Sequence, residues 1–508
     1  MKKFCIYILL VSVMLVPVSC LDKFPENAVA ENVAITTIDE ADQAVVGIYS
    51  SFLSGALYSG YLTLLPDIQC DMVYAVNGYT NTFGDVWRWE ILATNPQIEA
   101  VYGSLYSLIG NCNFLLDNAE KLKQTLVDDD ELDRLEMYCG EAYFARALAY
   151  SELIKLYCVD YKGDEEAKNE LGVVLKTKYY EHQPIKRASL YDSYQLVLSD
   201  LDKAATLLKL DEDYDPAIDG YLYNNSVYFN EYTVYALRAR VALYMRDYEE
   251  AIKYSSKIID SGMYFLSSAN MEYASAGMSY YDYMWQYDMS TEVIWKVGFT
   301  STSYGSALGT VFFNYDYSSF KPDYVPAKWV LDLFGSNDMR YNSFFYEAQT
   351  GYSHGLVWPL LYKYWGNQTL YSDAQLLNVS MPKVFRLSEQ YLIRAEAYCN
   401  LATPDYSKAG KDMATLMSAR YTSYTSLNAS NAMELIETER VKELYMEGFR
   451  LQDLKRWGKG FERTPQDQSL DNGSSIKVSA DDPLFVWPIP QHEIESPGAD
   501  IEPNESNR

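Results

Sequence analysis

Residues 242–252 read ALYMRDYEEAI, and residues 397–409 read AYCNLATPDYSKA. Each stretch closes one segment of helical periodicity, makes a short turn and opens a second segment with an Asp-Tyr pair. An Ala follows each Tyr at the same spacing, giving the pairs Tyr248 with Ala251 and Tyr406 with Ala409. Because a ring fills a groove between helices and Ala lets two backbones approach closely, both stretches predict paired helices that bury their apolar faces by stacking on neighbours.

The two stretches resemble tetratricopeptide helix pairs, one over residues 231–260 and the other over residues 389–420. Further helices are predicted where apolar residues recur every three or four positions. They are expected over residues 41–49, 102–122, 141–157 and 191–208, the last two as antiparallel partners. Residues 291–298 (TEVIWKVG) alternate and predict a short strand. Helix pairs are structural frames and do not by themselves specify a function.

The composition limits the classes of function. The chain has 508 residues, of which 48% are hydrophobic, enough to bury a large core. Its 42 Lys and Arg stand against 70 Asp and Glu, a formal net charge of −28, which argues against nucleic-acid binding. The 48 Tyr bring the aromatic share to 15%. Tyrosines suit half-exposed recognition surfaces, and they also line ordinary helix interfaces, so each single Tyr allows both interpretations.

Residues 1–19 are predicted to be a processing signal. Lys2 and Lys3 precede an apolar stretch from Phe4 to about Val16, which is too short to span a membrane. The segment PVSC that ends at Cys20 resembles a bacterial lipobox, in which the Cys thiol carries a diacylglycerol. The alternative is a plain secretory signal with a chance Cys. Residues 20–37 are then expected to be the lipidated Cys and a tether.

Metal, disulfide and catalytic signals are weak. The five cysteines beyond Cys20 lack CxxC spacing, which favours buried thiols, although one bridge is possible. Asp211–Asp215 is an acidic run that lacks the Gly and the closing Glu of a calcium loop, so a solvated loop is favoured. Three His, at positions 182, 354 and 492, form no HExxH or other catalytic motif. The sequence indicates no cofactor, no metal and no catalytic residue.

Residues 439–457, ERVKELYMEGFRLQDLKRW, resemble the signature helix of the SusD/RagB family, the nutrient-binding outer-membrane lipoproteins of Bacteroidetes. Four other segments support the resemblance: residues 20–25 (CLDKFP), 106–113 with Tyr106 and Asn113, 326–340, and 386–397. The stretch Pro488–Ile494 (PIPQHEI) is similar to the terminal motif of the family. Met417, where the family usually has Asn, is a departure from the pattern.

The resemblance implies a mainly α SusD-like fold, in which tetratricopeptide-like helix pairs carry long, irregular, aromatic-rich inserts. It also implies a cell-surface protein, lipid-anchored at the outer membrane, that binds an oligosaccharide or another nutrient without altering it. Its partner would be a TonB-dependent, SusC-like transporter. Two alternatives belong to other classes: a peptide- or protein-binding scaffold of the tetratricopeptide type, and a surface glycoside hydrolase, which the missing motifs disfavour.

The acids of the signature helix could be taken for a catalytic pair. Glu439, Glu443 and Glu447 are spaced by four residues, as in ion pairs along and between helices. Since Arg440, Arg450 and Arg456 are within reach, the acids are expected to stay ionised and structural rather than to act as a general acid and base.

The ligand-binding residues are not carried over from the family, whose aromatic platform is not a fixed motif. The chain is divided into residues 38–260 and 382–508 as helical scaffold and residues 261–381 as an aromatic-rich insert and expected ligand face, because long insertions on a rigid frame usually carry function. A comparable loop covers residues 79–95. The predicted platform is Trp87, Trp89, Tyr79, Tyr304, Tyr315 and Tyr317, with Arg88 and Asn314 as polar partners. For each of them, ordinary packing is the alternative.

Overall fold

The computed structural model describes residues 35–180, 185–209, 223–274, 277–316, 318–471 and 475–507. Several predictions fall on other residues and lie outside the described chain. They concern the signal over residues 1–19, Cys20, the tether as far as residue 34, His182, the acidic run Asp211–Asp215 and Tyr317.

The described chain is mainly helical, as predicted. The α-helices before the insert are α1 (Ile38–Ser51), α2 (Tyr61–Ile68), α3 (Gly84–Trp87), α4 (Pro96–Leu122), α5 (Asp129–Tyr157), α6 (Asp164–Ala167), α7 (Leu190–Leu207), α8 (Glu231–Tyr244) and α9 (Tyr248–Ile259). Those that follow are α10 (Tyr280–Gln286), α11 (Thr310–Phe313), α12 (Lys328–Leu333), α13 (Arg340–Phe344), α14 (Gln368–Ala374), α15 (Leu387–Asn400), α16 (Tyr406–Ser418), α17 (Ala432–Glu443), α18 (Arg450–Trp457) and α19 (Gln491–Ile494).

Short strands join distant parts of the chain. They are β1 (Val73–Ala75), β2 (Leu171–Val174), β3 (Ile185–Ser189), β4 (Val293–Lys296), β5 (Tyr324–Pro326), β6 (Phe345–Gln349), β7 (Val357–Leu361), β8 (Lys383–Arg386), β9 (Phe461–Arg463), β10 (Ile476–Val478) and β11 (Ala499–Asp500). The antiparallel pairs are β1 with β5, β4 with β8, β6 with β7, β9 with β10, and β2 with β3. Strand β11 runs parallel to β3.

The two predicted helix pairs are confirmed, as α8 with α9 and α15 with α16. Each second helix begins at the Asp of the quoted motif, because the carboxylate caps a backbone N–H: Asp247 accepts from Glu250 at 3.1 Å and Asp405 accepts from Lys408 at 3.0 Å. Ala251 is fully buried, as expected for close backbone approach. Helix α9 packs on α15, so the two pairs stack on each other.

The antiparallel pairing of α5 and α7 is also confirmed. Arg146 on α5 contacts Asp200 on α7, Nε to Oδ2 at 2.7 Å. Six residues earlier on α5, Gly140 lies so close to the end of α7 that an added Cβ would meet Leu207 at 2.9 Å. Helix α5 starts at Asp129, earlier than the expected residue 141, because Asp128 caps it with bonds from the backbone N–H groups of residues 130 and 131.

The predicted single helix over residues 439–457 is wrong in one respect: it is two helices. Helix α17 ends at Glu443 and α18 begins at Arg450. Between them Met446 and Gly448 have left-handed backbones, with φ of 59° and 83°. An added Cβ at Gly448 would meet the Leu62 carbonyl oxygen at 2.3 Å, so the turn needs glycine there. The break places Glu443 and Glu447 beside cations from other parts of the chain.

Buried ion pairs connect the C-terminal helices to the insert. Glu443 is fully buried and takes bonds from Arg340, Arg386 and Arg420, rather than from the arginines of its own segment. Burial by itself would raise the pKa of Glu443, but the guanidinium groups of Arg420 and Arg386 hold that pKa well below its usual range. These acids are therefore structural, as expected, but their partners are not those expected. Arg440 instead binds Asp453, Arg450 binds Asp71, and Arg456 binds Glu396 and Asp453.

The insert has more regular structure than its sequence suggests. The described part of residues 261–381 contains helices α10 to α14, strands β4 to β7 and the 3-10 turn Tyr362–Tyr364. The predicted strand over residues 291–298 is confirmed as β4, which pairs with β8 at the edge of the second helix pair. Buried rings of the insert, among them Trp285, Phe312 and Phe344, form a core together with residues outside it, such as Tyr74 and Tyr445. The insert is thus a packed unit that can hold a surface cleft rigidly.

Candidate functional site

Trp87 does not form a platform, and the structure corrects that prediction. Its side chain is 0% exposed. The one-turn helix α3 directs the indole into the core, where the rings of Tyr74 and Tyr324 lie 5.5 and 6.0 Å away, centroid to centroid. The guanidinium of Arg463 lies 4.7 Å above the ring. With no ring face open to solvent, Trp87 is a packing residue.

Trp89 is partly buried and directed elsewhere. Its Nε1–H donates to Asp482 at 3.0 Å. Phe461 and Phe485 pack against its ring at centroid distances of 5.3 and 5.2 Å. Trp89 thus ties the loop to the C-terminal segment, and the two Trp do not form one surface.

Arg88, the polar partner predicted beside the two Trp residues, is hydrogen-bonded within its own loop. Arg88 donates to Asp85 at 2.6 Å, to Glu90 at 2.9 Å, and to the hydroxyl of the half-buried Tyr79 at 3.0 Å. Burial raises the pKa of Tyr79. These contacts stabilise the loop over residues 79–90 and leave the guanidinium little capacity for a ligand.

The insert supplies an open cleft instead, which we call the aromatic cleft. Its volume is about 790 Å³. It is lined by Tyr315, Ser318, Ser319, Phe320, Tyr346, Glu347, Ala348, Gln349, Trp365, Gly366, Gln368, Tyr371, Leu376, Leu377 and Asn378. One predicted site residue, Tyr315, lines it. Tyr304, although 44% exposed, and Asn314, which ends α11 with a φ of 39°, do not.

Two walls of the cleft come from elements distant in sequence. The hairpin of β6 and β7 gives one wall: Phe345 at the start of β6 is buried, and the next residue, Tyr346, is 55% exposed. Helix α14 and the segment after it give the other wall, with Gln368 and the 42% exposed Tyr371. The hairpin turn is tied to the floor, because Gly351 N–H donates to the Phe320 carbonyl oxygen at 2.8 Å.

The floor is a continuous set of rings. Trp365 and Phe320 lie 5.8 Å apart, and both rest on the buried Phe313, at 5.1 and 5.7 Å. Tyr315 extends the set from Phe320 at 5.2 Å. On the other side Tyr362 connects Trp365 to Tyr346, at 5.6 and 6.1 Å. Because the rings pack edge to face on one another and on the core, the floor is apolar and held in place.

A glycine allows the two sides of the cleft to meet. Gly366 has a φ of 118°, and an added Cβ would meet the Asn378 backbone nitrogen at 2.9 Å. The Asn378 side chain then donates to the Trp365 carbonyl oxygen at 2.9 Å. The Asn378 side chain therefore holds the backbone at Trp365 and fixes the orientation of that segment.

The polar groups at the walls are mostly uncharged. Gln349 is exposed and Gln368 is partly exposed, and neither side-chain amide has a hydrogen bond to the described part of the chain. Each amide can donate and accept, as a hydroxyl-rich ligand requires. Glu347, beside Gln349 on β6, adds one carboxylate. The cleft therefore combines apolar rings with a few polar groups, which is the usual composition of a small-molecule site.

The sequence contained a partial signal for the missed residues. Tyr346, Trp365 and Tyr371 belong to the aromatic-rich insert over residues 261–381, which the sequence predicts to be the ligand face. Aromatic density alone favours Trp87 and Trp89 as site residues. It is misleading for Trp87 because no local sequence pattern distinguishes a buried indole from an exposed one.

The described residues hold neither a membrane-spanning helix nor a metal-binding cluster. None of their helices has the length and apolar composition needed to cross a bilayer. Within the same ranges, no group of three or more His, Cys, Asp or Glu is arranged to hold a metal ion. Cys70, Cys112, Cys139, Cys158 and Cys399 are free thiols.

Stacked helix pairs with a packed, cleft-bearing insert define a helical-repeat scaffold protein. The SusD family model matches residues 223–499, more than half of the chain, and the chain belongs to the SusD family. A second family model, described as starch-binding and associating with the outer membrane, matches residues 21–243.

Individual relatives agree with this assignment. SusD-like protein P2 of Formosa agariphila is 26% identical over 158 residues, which span 31% of this chain and 30% of that protein's length. The crystal structure of a SusD superfamily protein from Bacteroides thetaiotaomicron has a TM-score of 0.74 at 22% identity, covering 92% of this chain and 99% of that one. Surface glycan-binding protein A of Bacteroides fluxus has a TM-score of 0.68 at 19% identity, covering 93% and 100%. At these identities the two structures establish the shared fold.

Proposed function

We propose that this protein is a cell-surface lipoprotein that binds an oligosaccharide in the aromatic cleft and passes it to a TonB-dependent, SusC-like transporter. The observation that carries the proposal is the row of partly exposed rings on the packed insert of a SusD-family chain. Surface glycan-binding protein A, which shares the fold, supports a saccharide as the ligand.

The proposed binding mode follows from the chemistry of sugars. A pyranose ring has apolar C–H faces that pack on aromatic rings, and hydroxyl groups at its edge that need hydrogen-bond partners. Tyr346 and Tyr371 present rings from opposite walls, and Gln349 and Gln368 supply donors and acceptors beside them. An open cleft of this kind gives weak binding, about −4 to −7 kcal/mol, or roughly 10 μM to 1 mM, which suits release to a transporter.

Binding without chemistry is part of the proposal. A glycoside hydrolase needs two carboxyl groups on either side of the scissile bond. Among the described residues that line the cleft, Glu347 is the single carboxylate. The cleft therefore suits capture of a sugar better than its hydrolysis.

The anchor and the transporter complete the proposal. Cys20, at the end of the lipobox-like segment, would carry the lipid and hold the protein at the outer membrane facing outward. The family model described as associating with the outer membrane supports this location. A Cys20→Ser variant should lose palmitate labelling in a Bacteroidetes host, and the wild type should co-purify with a TonB-dependent transporter. Unlabelled wild type would contradict the anchor.

Substitution of the two wall tyrosines tests the site. We expect the Tyr346→Ala, Tyr371→Ala double variant to bind its polysaccharide about 1–3 kcal/mol less well, or roughly 5- to 150-fold, because each ring contributes about 0.5–1.5 kcal/mol of stacking. The measurement is retardation in native gels that contain amylopectin, galactomannan or laminarin. The matched control is Tyr228→Ala with Tyr304→Ala, two rings that are 64% and 44% exposed outside the cleft.

Thermal unfolding of both double variants shows whether the fold is intact. Equal retardation of the wild type and the Tyr346, Tyr371 variant would remove the cleft as the site. Loss of retardation in the control variant instead would move the site to the surface around Tyr228 and Tyr304.

A further inference from the structure

The aromatic cleft has a marked charge pattern. Of its 15 lining residues, Glu347 is the one with a charged side chain, and it is exposed on β6. Within the described lining there is no Lys, Arg or His. The rest of the polar lining consists of amides and hydroxyls, from Gln349, Gln368, Asn378, Ser318, Ser319 and three Tyr.

The cation beside the cleft is neutralised by its own loop. Lys321 follows Phe320 of the floor, and its Nζ lies 3.1 Å from Asp316 Oδ2. Asp316 also accepts bonds from the backbone and the hydroxyl of Ser318, at 3.1 and 2.8 Å. The Ser318 hydroxyl and Lys321 keep the pKa of Asp316 far below its usual range, so the ion pair persists at neutral pH. Lys321 is thus paired with a carboxylate, in an ion pair that is exposed on both sides.

The charge of the whole chain acts in the same direction as Glu347. The chain as a whole has a formal net charge of −28, which adds a repulsive long-range potential for anions. Uronate and sulfate groups are recognised by Arg and Lys, whose charge-assisted bonds are about twice as strong as neutral ones. The cleft offers such groups no cation and one carboxylate.

We propose that the aromatic cleft selects uncharged oligosaccharides and rejects those that carry carboxylate or sulfate groups, and that Glu347 is the residue that sets this preference. The inference rests on the proposed function of the cleft and adds the class of glycan to it. Glu347 accepts hydrogen bonds from sugar hydroxyls. A neutral sugar supplies such a donor, whereas a carboxylate or sulfate at the same position has no proton to donate. Its carboxylate repels that substituent across an open, water-filled cleft.

A matched pair of ligands tests the selection. One is the neutral polysaccharide that the native gels identify, and the other is the same polymer after oxidation of its primary hydroxyls to carboxylates. By calorimetry, we expect the oxidised polymer to bind the wild type about tenfold more weakly at low salt, and the difference to shrink at 0.5 M NaCl, where charges are screened over roughly 4–5 Å. Polygalacturonate and chondroitin sulfate should not be retained in the gels.

Two substitutions assign the effect to Glu347. Glu347→Gln should reduce the discrimination between the neutral and the oxidised polymer from tenfold to roughly two- to threefold, and Glu347→Lys should favour the oxidised polymer. The control is Asp133→Lys, an exposed acid on α5 outside the cleft that changes net charge by the same amount as Glu347→Lys. It should leave the tenfold discrimination in place.

The outcomes separate the two proposals. If none of the polysaccharides is retained, the proposed function itself fails. If oxidised and neutral polymers bind the wild type equally, or if the acidic polymers are retained, the cleft binds glycans and only the charge selection is wrong. The proposed selection of uncharged oligosaccharides would also be wrong if chitosan oligosaccharides bound more than tenfold more tightly than their acetylated forms, because the preferred ligand would then be cationic.

Discussion

The carboxylate of Glu443 binds the guanidinium of Arg420 through two hydrogen bonds of 2.9 Å, and both side chains are 0% exposed. Arg420 also contacts Glu292, which lies just before β4, with its Nη2 2.9 Å from Oε2. This network joins the C-terminal helices to the insert that carries the cleft. The cleft is therefore positioned by buried ion pairs as well as by apolar packing.

Removing one charge of that network should be costly. We expect Glu443→Gln to lower the free energy of unfolding by about 3–5 kcal/mol, because it removes the carboxylate that three buried guanidinium groups share. The control is Glu437→Gln on the same helix, whose partner Lys459 is half-exposed, with an expected loss of about 0–1 kcal/mol. Urea unfolding measures both. Similar values for the two variants would show that the buried pairs do not stabilise the fold.

Trp87 gives a second prediction, which opposes its assignment to a platform. Trp87→Ala should lower the free energy of unfolding by about 3–5 kcal/mol, since it removes a fully buried indole and leaves a cavity. If that variant does not fold, Trp87→Phe, a milder truncation, takes its place. In either variant, the folded molecules should bind polysaccharide as tightly as the wild type does. A stable variant with lost binding would return Trp87 to the site.

A buried carboxyl predicts a pH dependence. Burial raises the pKa of Glu141 to about 7, and its partner is the Tyr49 hydroxyl, which donates at 2.7 Å. In the unfolded chain a Glu titrates near 4.3. Between these values the folded state holds more protons than the unfolded state, so the contribution of Glu141 to the free energy of unfolding falls as the pH rises from about 4.3 to 7.

Glu141→Gln should therefore flatten the stability profile. The amide oxygen still accepts from Tyr49, and no charge is buried at neutral pH. We therefore expect the free energy of unfolding of the variant, relative to that of the wild type, to be higher at pH 8 than at pH 4.5 by roughly 1–3 kcal/mol. Urea unfolding at a series of pH values provides the measurement. A difference between the two proteins that stays constant across this range would mean that Glu141 does not titrate as described.

The helical frame could be predicted because its signals are local. The positions of Asp247 and Asp405 as helix caps, and of Ala251 and Ala409 at close contacts, follow from residues only a few positions apart. The sequence did not predict the start of α5 or the break before Gly448. The start of α5 depends on the cap at Asp128, and the break depends on a close approach to Leu62, more than 380 residues away in the chain.

The amino-acid sequence by itself determined the class of fold and the family, and it predicted two aromatic-rich segments, residues 79–95 and 261–381, of which the second contains the cleft. Only the tertiary structure decided which rings face solvent. Trp87 is covered by Tyr74, Tyr324 and Arg463, whereas Tyr346 and Tyr371 stand open on walls made of a hairpin and a helix. The physical reason is that the exposure of an aromatic side chain depends on what packs against it, and those partners come from parts of the chain that no local pattern connects.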